Sequence, residues 1–235
     1  MRIEDMTRDA FRRKVAEGCV VILPFGATEA HGAHLPLGTD TFQPAHVADA
    51  VAERMGNVLV APAMPYGNHS STKNMPGTIW LAFDTVRAFT RDVLTALHGD
   101  GVRAAMILSG HAGSSHLCAI KEGCKDVVDA CDMKVSLVSE YDVGASHPKV
   151  RDLAGDGHGG LVETSRMLDI KPEAVTADRP VGTYSSTGSL VVRDASVCFP
   201  EGMAGDTGPA SAELGREINS YIIDSIVGVI RRDLL

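Results

Sequence analysis

Clustered positive charge is missing from this chain: 22 Lys and Arg stand against 30 Asp and Glu, a formal net charge of -8. Nucleic acids and anionic membranes are gripped by patches of Lys and Arg, so neither is expected as a partner, while a small neutral or cationic substrate meets no long-range repulsion. Aromatic residues are scarce, at 5% with one Trp, and aliphatic side chains and alanine must fill the core. The cysteines, Cys19, Cys118, Cys124, Cys131 and Cys198, include no C-x-x-C pair and are odd in number. That excludes a disulfide framework or a zinc knuckle and leaves reduced thiols in the core or on helix faces. No apolar run reaches the length of a bilayer span. The opening residues Met1-Arg2-Ile3-Glu4-Asp5 do not form an apolar signal segment, and a soluble cytoplasmic protein is the expectation.

What is present is 235 residues, 44% of them apolar, enough for one domain spanning 1–235. Short continuous apolar runs at 19–24 (CVVILP), 58–63, 103–108 and 134–138 read as strands buried on both faces. Helical patterns fall between them. One is capped by Thr7, carries Phe11 and Val15, and ends at Gly18; another covers 41–55, with Ala45, Ala48 and Val51 inward. A third is capped by Asp84 and carries Val86, Phe89, Val93, Leu94 and Leu97; a fourth runs to about Cys131. Four rounds of strand, loop and helix predict an α/β fold with a mostly parallel sheet flanked by helices. Residues 141–158 read as a long loop of the ligand-binding type. A helix over 161–168, an irregular stretch to about Ser189 and an amphipathic helix over about 209–232 follow. The last has an apolar stripe of Ile218, Tyr221, Ile222, Ile226 and Ile230, used for core rather than for a subunit contact.

Ligands of open parallel sheets bind where strands run into helices, and the unusual residues of this chain fall there. The first strand leads into a loop carrying Glu29 and His31, two apart, so an extended backbone turns both to one face. Asp40 returns after a Pro/Gly turn, and the third strand delivers His111 within Ser109-Gly110-His111-Ala112-Gly113. Two carboxylates and two imidazoles make a site for Zn²⁺, with Mn²⁺ and Fe²⁺ as alternatives. Two carboxylates also allow a bridged pair of ions with a hydroxide between them near neutral pH. His34 and His116 are placed at the surface or behind the ligands. Downstream, His158 stands between glycines with no packing reason to be there and suits proton transfer. Glu163 falls in the first turn of a helix, where the dipole favours a carboxylate in any case.

These motifs resemble those of the creatininase (creatinine amidohydrolase) family. The family's G-[ST]-x-E-x-H-G-x-H-L-P-x-x-T-D stretch is matched by Gly26 to Asp40, with Ala27 ahead of Thr28. Its N-G-H-x-x-N stretch is matched loosely by Ser109 to Ser114, its P-G-T by Pro76-Gly77-Thr78, and its H-A-G-x-x-E-T-S by His158 to Ser165 with Gly159 for Ala. The resemblance implies a three-layer α/β/α domain, a binuclear metal centre, a homo-oligomer (often a hexamer) and hydrolysis of an amide or cyclic amide C–N bond. By position it implies Glu29 and His31 each holding one ion, Asp40 bridging both, His111 completing one side, and His158 as the catalytic histidine. Well-known members add a metal-binding Glu two residues after the histidine matching His111. Here Gly113 stands in that place, and Glu163 is the substitute ligand that the resemblance offers. The run from His69 to Met75 also departs from the family pattern and marks a different substrate; His69, Lys73, Trp80 and His34 are the expected substrate contacts. The expectation is a metal-dependent amidohydrolase of a small cyclic amide or formamide. Cleavage of a C–C bond in a cyclic diketone of the keto-inositol type, and a non-catalytic metal-binding subunit, are the alternatives.

Overall fold

Runs without polar alternation become the centre of a sheet whose two faces are both covered. In the computed structural model, which describes residues 1–235, these runs form β1 (Val20–Phe25), β2 (Val58–Val60), β3 (Ala104–Ser109) and β4 (Lys134–Ser139), in the order β2-β1-β3-β4. All neighbours are parallel; β1 and β3 run in register from Val20 opposite Ala104 to Phe25 opposite Ser109. A smaller antiparallel pair joins β5 (Val181–Gly182) to β6 (Gly205–Asp206).

The α-helices are α1 (Arg8–Ala16), α2 (Thr39–Met55), α3 (Phe83–Gly99), α4 (Ser114–Val128), α5 (Glu140–Ala145), α6 (Leu161–Ile170) and α7 (Ala212–Val229). Successive strand residues point to opposite faces, and the core divides accordingly. Val20, Ile22, Met106 and Leu108 pack with Val47 and Val51 of α2 and Ile218, Ile222 and Ile226 of α7. Val21, Leu23 and Ile107 pack with Val86 and Leu94 of α3 and Ile120 and Val127 of α4, with α1 at the edge through Phe11 and Val15. The result is the expected three-layer α/β/α sandwich. The stripe on α7 is core at Ile218, Ile222, Ile226 and Ile230; Tyr221 stands beside it, against Ser146 and His147. No helix is long and apolar enough to cross a membrane.

Four local expectations need correction. The second strand stops at Val60, short of 63. The N-cap of α3 is Ala82, with extended backbone, because Phe83 joins the core as the first helical residue; Asp84 sits in the first turn, where the dipole favours it. The expected loop 141–158 opens instead with α5, capped by the Ser139 hydroxyl accepting from Asp142 N at 3.3 Å. This single turn and a half contains Gly144 and is too short to show a period. Finally, α2 begins at Thr39, so Asp40 lies in its first turn rather than in the preceding loop.

Candidate metal centre

Two glycines let the start of α2 wedge between the carboxyl ends of β1 and β3. A Cβ on Gly26 would lie 2.3 Å from Thr41 Oγ1, and one on Gly110 would lie 2.1 Å from the Asp40 carbonyl oxygen. No larger residue tolerates that approach, and the approach is what brings Asp40 to the strand ends. β1 continues through Gly26 to Glu29 and His31; β3 continues through Gly110 to His111. From the far side comes α6. Asp156 accepts hydrogen bonds from Leu161 N (2.5 Å) and Val162 N (3.3 Å), tying the glycine-rich turn at 157–160 to the helix start. That turn presents His158, whose ring centroid is 4.1 Å from that of His31, and the first turn of α6 presents Glu163.

Asp40 faces two imidazoles at once. Its Oδ1 is 2.9 Å from His31 Nε2, and its Oδ2 is 3.1 Å from His111 Nδ1. Glu29 Oε2 is 2.9 Å from the same His111 nitrogen, and Glu163 Oε2 is 3.8 Å from His31 Nε2. The outer nitrogens are engaged: His31 Nδ1 lies 3.0 Å from the Glu29 carbonyl, and His111 Nε2 lies 3.1 Å from the Asn68 carbonyl. A carbonyl only accepts, so these nitrogens carry the hydrogens and the inner nitrogens turn lone pairs towards carboxylates. Lone pairs facing anions at such distances need a cation between them. Glu29, Asp40 and Glu163 are all buried, and their charged contacts are with histidines rather than with Lys or Arg. Glu29 Oε2, although close to His111, has no aligned hydrogen-bond donor. Three buried carboxylates with so little positive charge around them suit divalent ions. The ligand atoms of His31, Asp40 and Glu163, and those of Glu29, His69 and His111, lie within 4.8 Å of one another.

With protons as the only available cations, the imidazoles take them up. Burial alone would lower His31, but Asp40, with Glu163 and Glu29, outweighs burial and raises it from 6.5 to about 10. His111 goes the same way: burial opposes, and the Glu29 and Asp40 carboxylates lift it well above 6.5. Glu163 is raised by burial, against the pull of His31 and of the Gly159 amide. Two nearby histidines behave oppositely. Burial lowers His34 to about 4 and His116 to about 3, so both are neutral at pH 7. Neither lies at the surface: His34 bonds the Thr164 hydroxyl at 2.8 Å, and His116 Nδ1 accepts from Asn68 N at 3.2 Å.

Above this centre is a cavity of about 200 Å³, lined among others by Glu29, Asp40, Thr72, His111, Tyr141, His158, Glu163 and Phe199. Of the expected ligands, Glu29, Asp40, His111 and Glu163 line it together with His158, while His31 lies fully buried beneath, against Asp40. The expected substrate contacts do not line it. His34 is held behind the turn at 157–160, and His69 is packed under the cavity against Glu29. Lys73 lays its ammonium over the exposed Trp80 ring, 3.8 Å from the centroid. Thr72, Tyr141 and Phe199 escaped the sequence reading. Tyr141 follows the fourth strand and was findable by the rule that sites form at strand ends. Thr72, whose hydroxyl donates to Glu29 Oε1, and Phe199, from the irregular region, carry no such signal. At Gly113 a Cβ would lie 2.5 Å from His111 Nε2, so the glycine lets α4 start against that ring.

Comparison with known proteins agrees with this geometry. Residues 4–230 match the creatininase family model, described as creatinine amidohydrolase. The chain is 30% identical over 254 residues to creatinine amidohydrolase of Pseudomonas putida, covering 98% of this chain and 96% of that one. It is 31% identical over 229 residues to the mycofactocin precursor peptide peptidase of Mycobacterium ulcerans, covering 90% and 84%. A crystal structure of creatininase superposes with a TM-score of 0.90 at 27% identity, over 100% of this chain and 98% of that one. The shared fold, the match along nearly the whole chain and the buried cluster of acids and histidines make this protein a member of the creatininase family of hydrolases.

Proposed function

We propose that this chain hydrolyses a C–N bond of a small cyclic amide or formamide at a pair of divalent ions, Zn²⁺ foremost. Glu29, Asp40 and His111 would hold one ion, and His31, Asp40 and Glu163 the other. The observation that carries the reading is Asp40, whose two carboxylate oxygens each face a different histidine lone pair. Bound there, the ions would acidify water towards neutral pH and polarise a carbonyl. The chain's own residues do the rest. The His158 Nε2 hydrogen is spent on the Ala30 carbonyl at 2.8 Å, which leaves Nδ1 to take a proton from water and pass it to the departing nitrogen. Phe199 packs edge-on beside that ring, with centroids 6.0 Å apart, and shields it from bulk solvent. The Thr72 hydroxyl fixes one Glu29 oxygen, which orients the carboxylate.

The cavity of about 200 Å³ is smaller than the ~300–1,000 Å³ usual for drug-sized ligands, which favours a small ring or formyl group over a long peptide. The family resemblance implies a homo-oligomer, with a hexamer the form to test by light scattering. The test of function is product analysis on a panel of cyclic amides, formamido compounds and keto-inositols. C–N cleavage that stops on chelation and returns with Zn²⁺ or Mn²⁺ is expected, and His158→Ala should slow it by about 10²–10⁴-fold. Turnover indifferent to chelation would refute the reading; cleavage confined to keto-inositols would replace the bond.

A further inference from the structure

His69 has a buried imidazole with nothing to bond. Neither ring nitrogen has a hydrogen-bond partner, an arrangement that buried polar groups ordinarily avoid. The ring is nevertheless firmly placed. Its neighbour Asn68 spans the site: the carbonyl takes His111 Nε2, the amide N–H reaches His116, and the side chain donates to the Leu81 carbonyl at 2.8 Å. So held, His69 Nδ1 lies 3.3 Å from Glu29 Oε1, and its ring centroid lies 4.7 Å from that of His111. That oxygen accepts from Thr72, and the His69 contact with it is not aligned as a hydrogen bond.

We propose that His69 is a further metal ligand, which closes the position built by Glu29, Asp40 and His111 with a fourth protein group. The proposal rests on the metal-centre reading above. Donor atoms about 2.0–2.2 Å from a tetrahedral ion stand roughly 3.3–3.6 Å apart. His69 Nδ1 lies 3.3 Å from Glu29 Oε1, His111 Nδ1 lies 2.9 Å from Glu29 Oε2 and 3.1 Å from Asp40 Oδ2, and one donor atom each from Glu29, His69 and His111 fall within 4.8 Å of one another, close enough to surround a single ion. The other position then has His31, Asp40 and Glu163 alone. Four protein ligands make a closed site, and three leave room for water or substrate. The open position is the one beside His158. The two ions are therefore inequivalent: one anchors the loop at 66–78, and the other takes part in chemistry.

The test is the full chain loaded with Co²⁺ and examined by paramagnetic proton NMR. Three exchangeable, strongly shifted imidazole N–H signals are expected, from His31, His111 and His69. Two signals would overturn the proposal while leaving the metal centre intact; an absence of bound Co²⁺ would overturn the metal-centre reading itself. As a second arm, His69→Ala should weaken one ion by more than about 100-fold, beyond the ~10–100-fold that loss of an outer partner costs, and leave the other ion within threefold, roughly. His69→Gln keeps a hydrogen-bond donor but no imidazole. If it restored affinity, His69 would be a hydrogen-bonding group and not a ligand.

Discussion

Metal binding to this protein should expel protons, and their number can be worked out. His31 carries its proton up to a pKa of about 10 in the metal-free centre. At pH 8 it is thus about 99% protonated, whereas an ordinary histidine near 6.5 would be about 3% protonated. An ion that takes the Nε2 lone pair must displace that proton, so close to one proton per chain leaves from His31 alone. His111, raised in the same direction by Glu29 and Asp40, adds a further release. Each proton displaced strengthens apparent affinity about tenfold per pH unit. The assay is calorimetric titration of chelated protein with Zn²⁺ at pH 8, in two buffers of different ionisation enthalpy. At least about one proton released per chain is expected; tight binding with less than about 0.2 would refute the placement of the ions at His31. A raised histidine stabilises the metal-free fold fully below its unfolded pKa of 6.5 and loses that contribution as pH climbs through about 10. Chelated protein should therefore melt at lower temperature as pH rises across that window.

Other consequences are independent of that one. Arg166 is buried and bonds Glu140, Gln43 and Asn219 at 3.0, 2.7 and 2.8 Å; Arg166→Ala strands Glu140 and should cost about 3–5 kcal/mol in denaturant titrations, and a loss under about 1 kcal/mol would contradict it. Gly110→Ala drives a Cβ against the Asp40 carbonyl and should cost about 1–3 kcal/mol and lower the bound metal; unchanged metal content would show that Asp40 does not depend on the wedge. Burial pushes the Cys124 thiol up to about 12, so at pH 8 only about 10⁻⁴ of it is thiolate. Iodoacetamide should label exposed Cys118 and spare Cys124, and mass spectrometry showing Cys124 modified in folded protein would count against that burial.

Strands buried on both faces advertise themselves, and CVVILP and the run before Ser109 gave the sheet away. The helix α5 did not, because Glu140 is drawn inward by Arg166 on α6, a pairing between distant segments with no local trace. Asp40 was recognisable as a site residue, but its place inside α2 depends on Gly26 and Gly110 yielding space, a tertiary fact. The same holds for His69. Its residue type suggested a site, while its orphaned nitrogens and its distance from Glu29 became visible only once the loop was folded over the strand ends.

Asp40 is proposed to join two cation positions. Elemental analysis of chain purified without chelators, wild type beside Asp40→Ala, tests it most directly. Two divalent ions per wild-type chain, and loss of both from folded Asp40→Ala, are the results expected. Full metal content in Asp40→Ala would contradict the account.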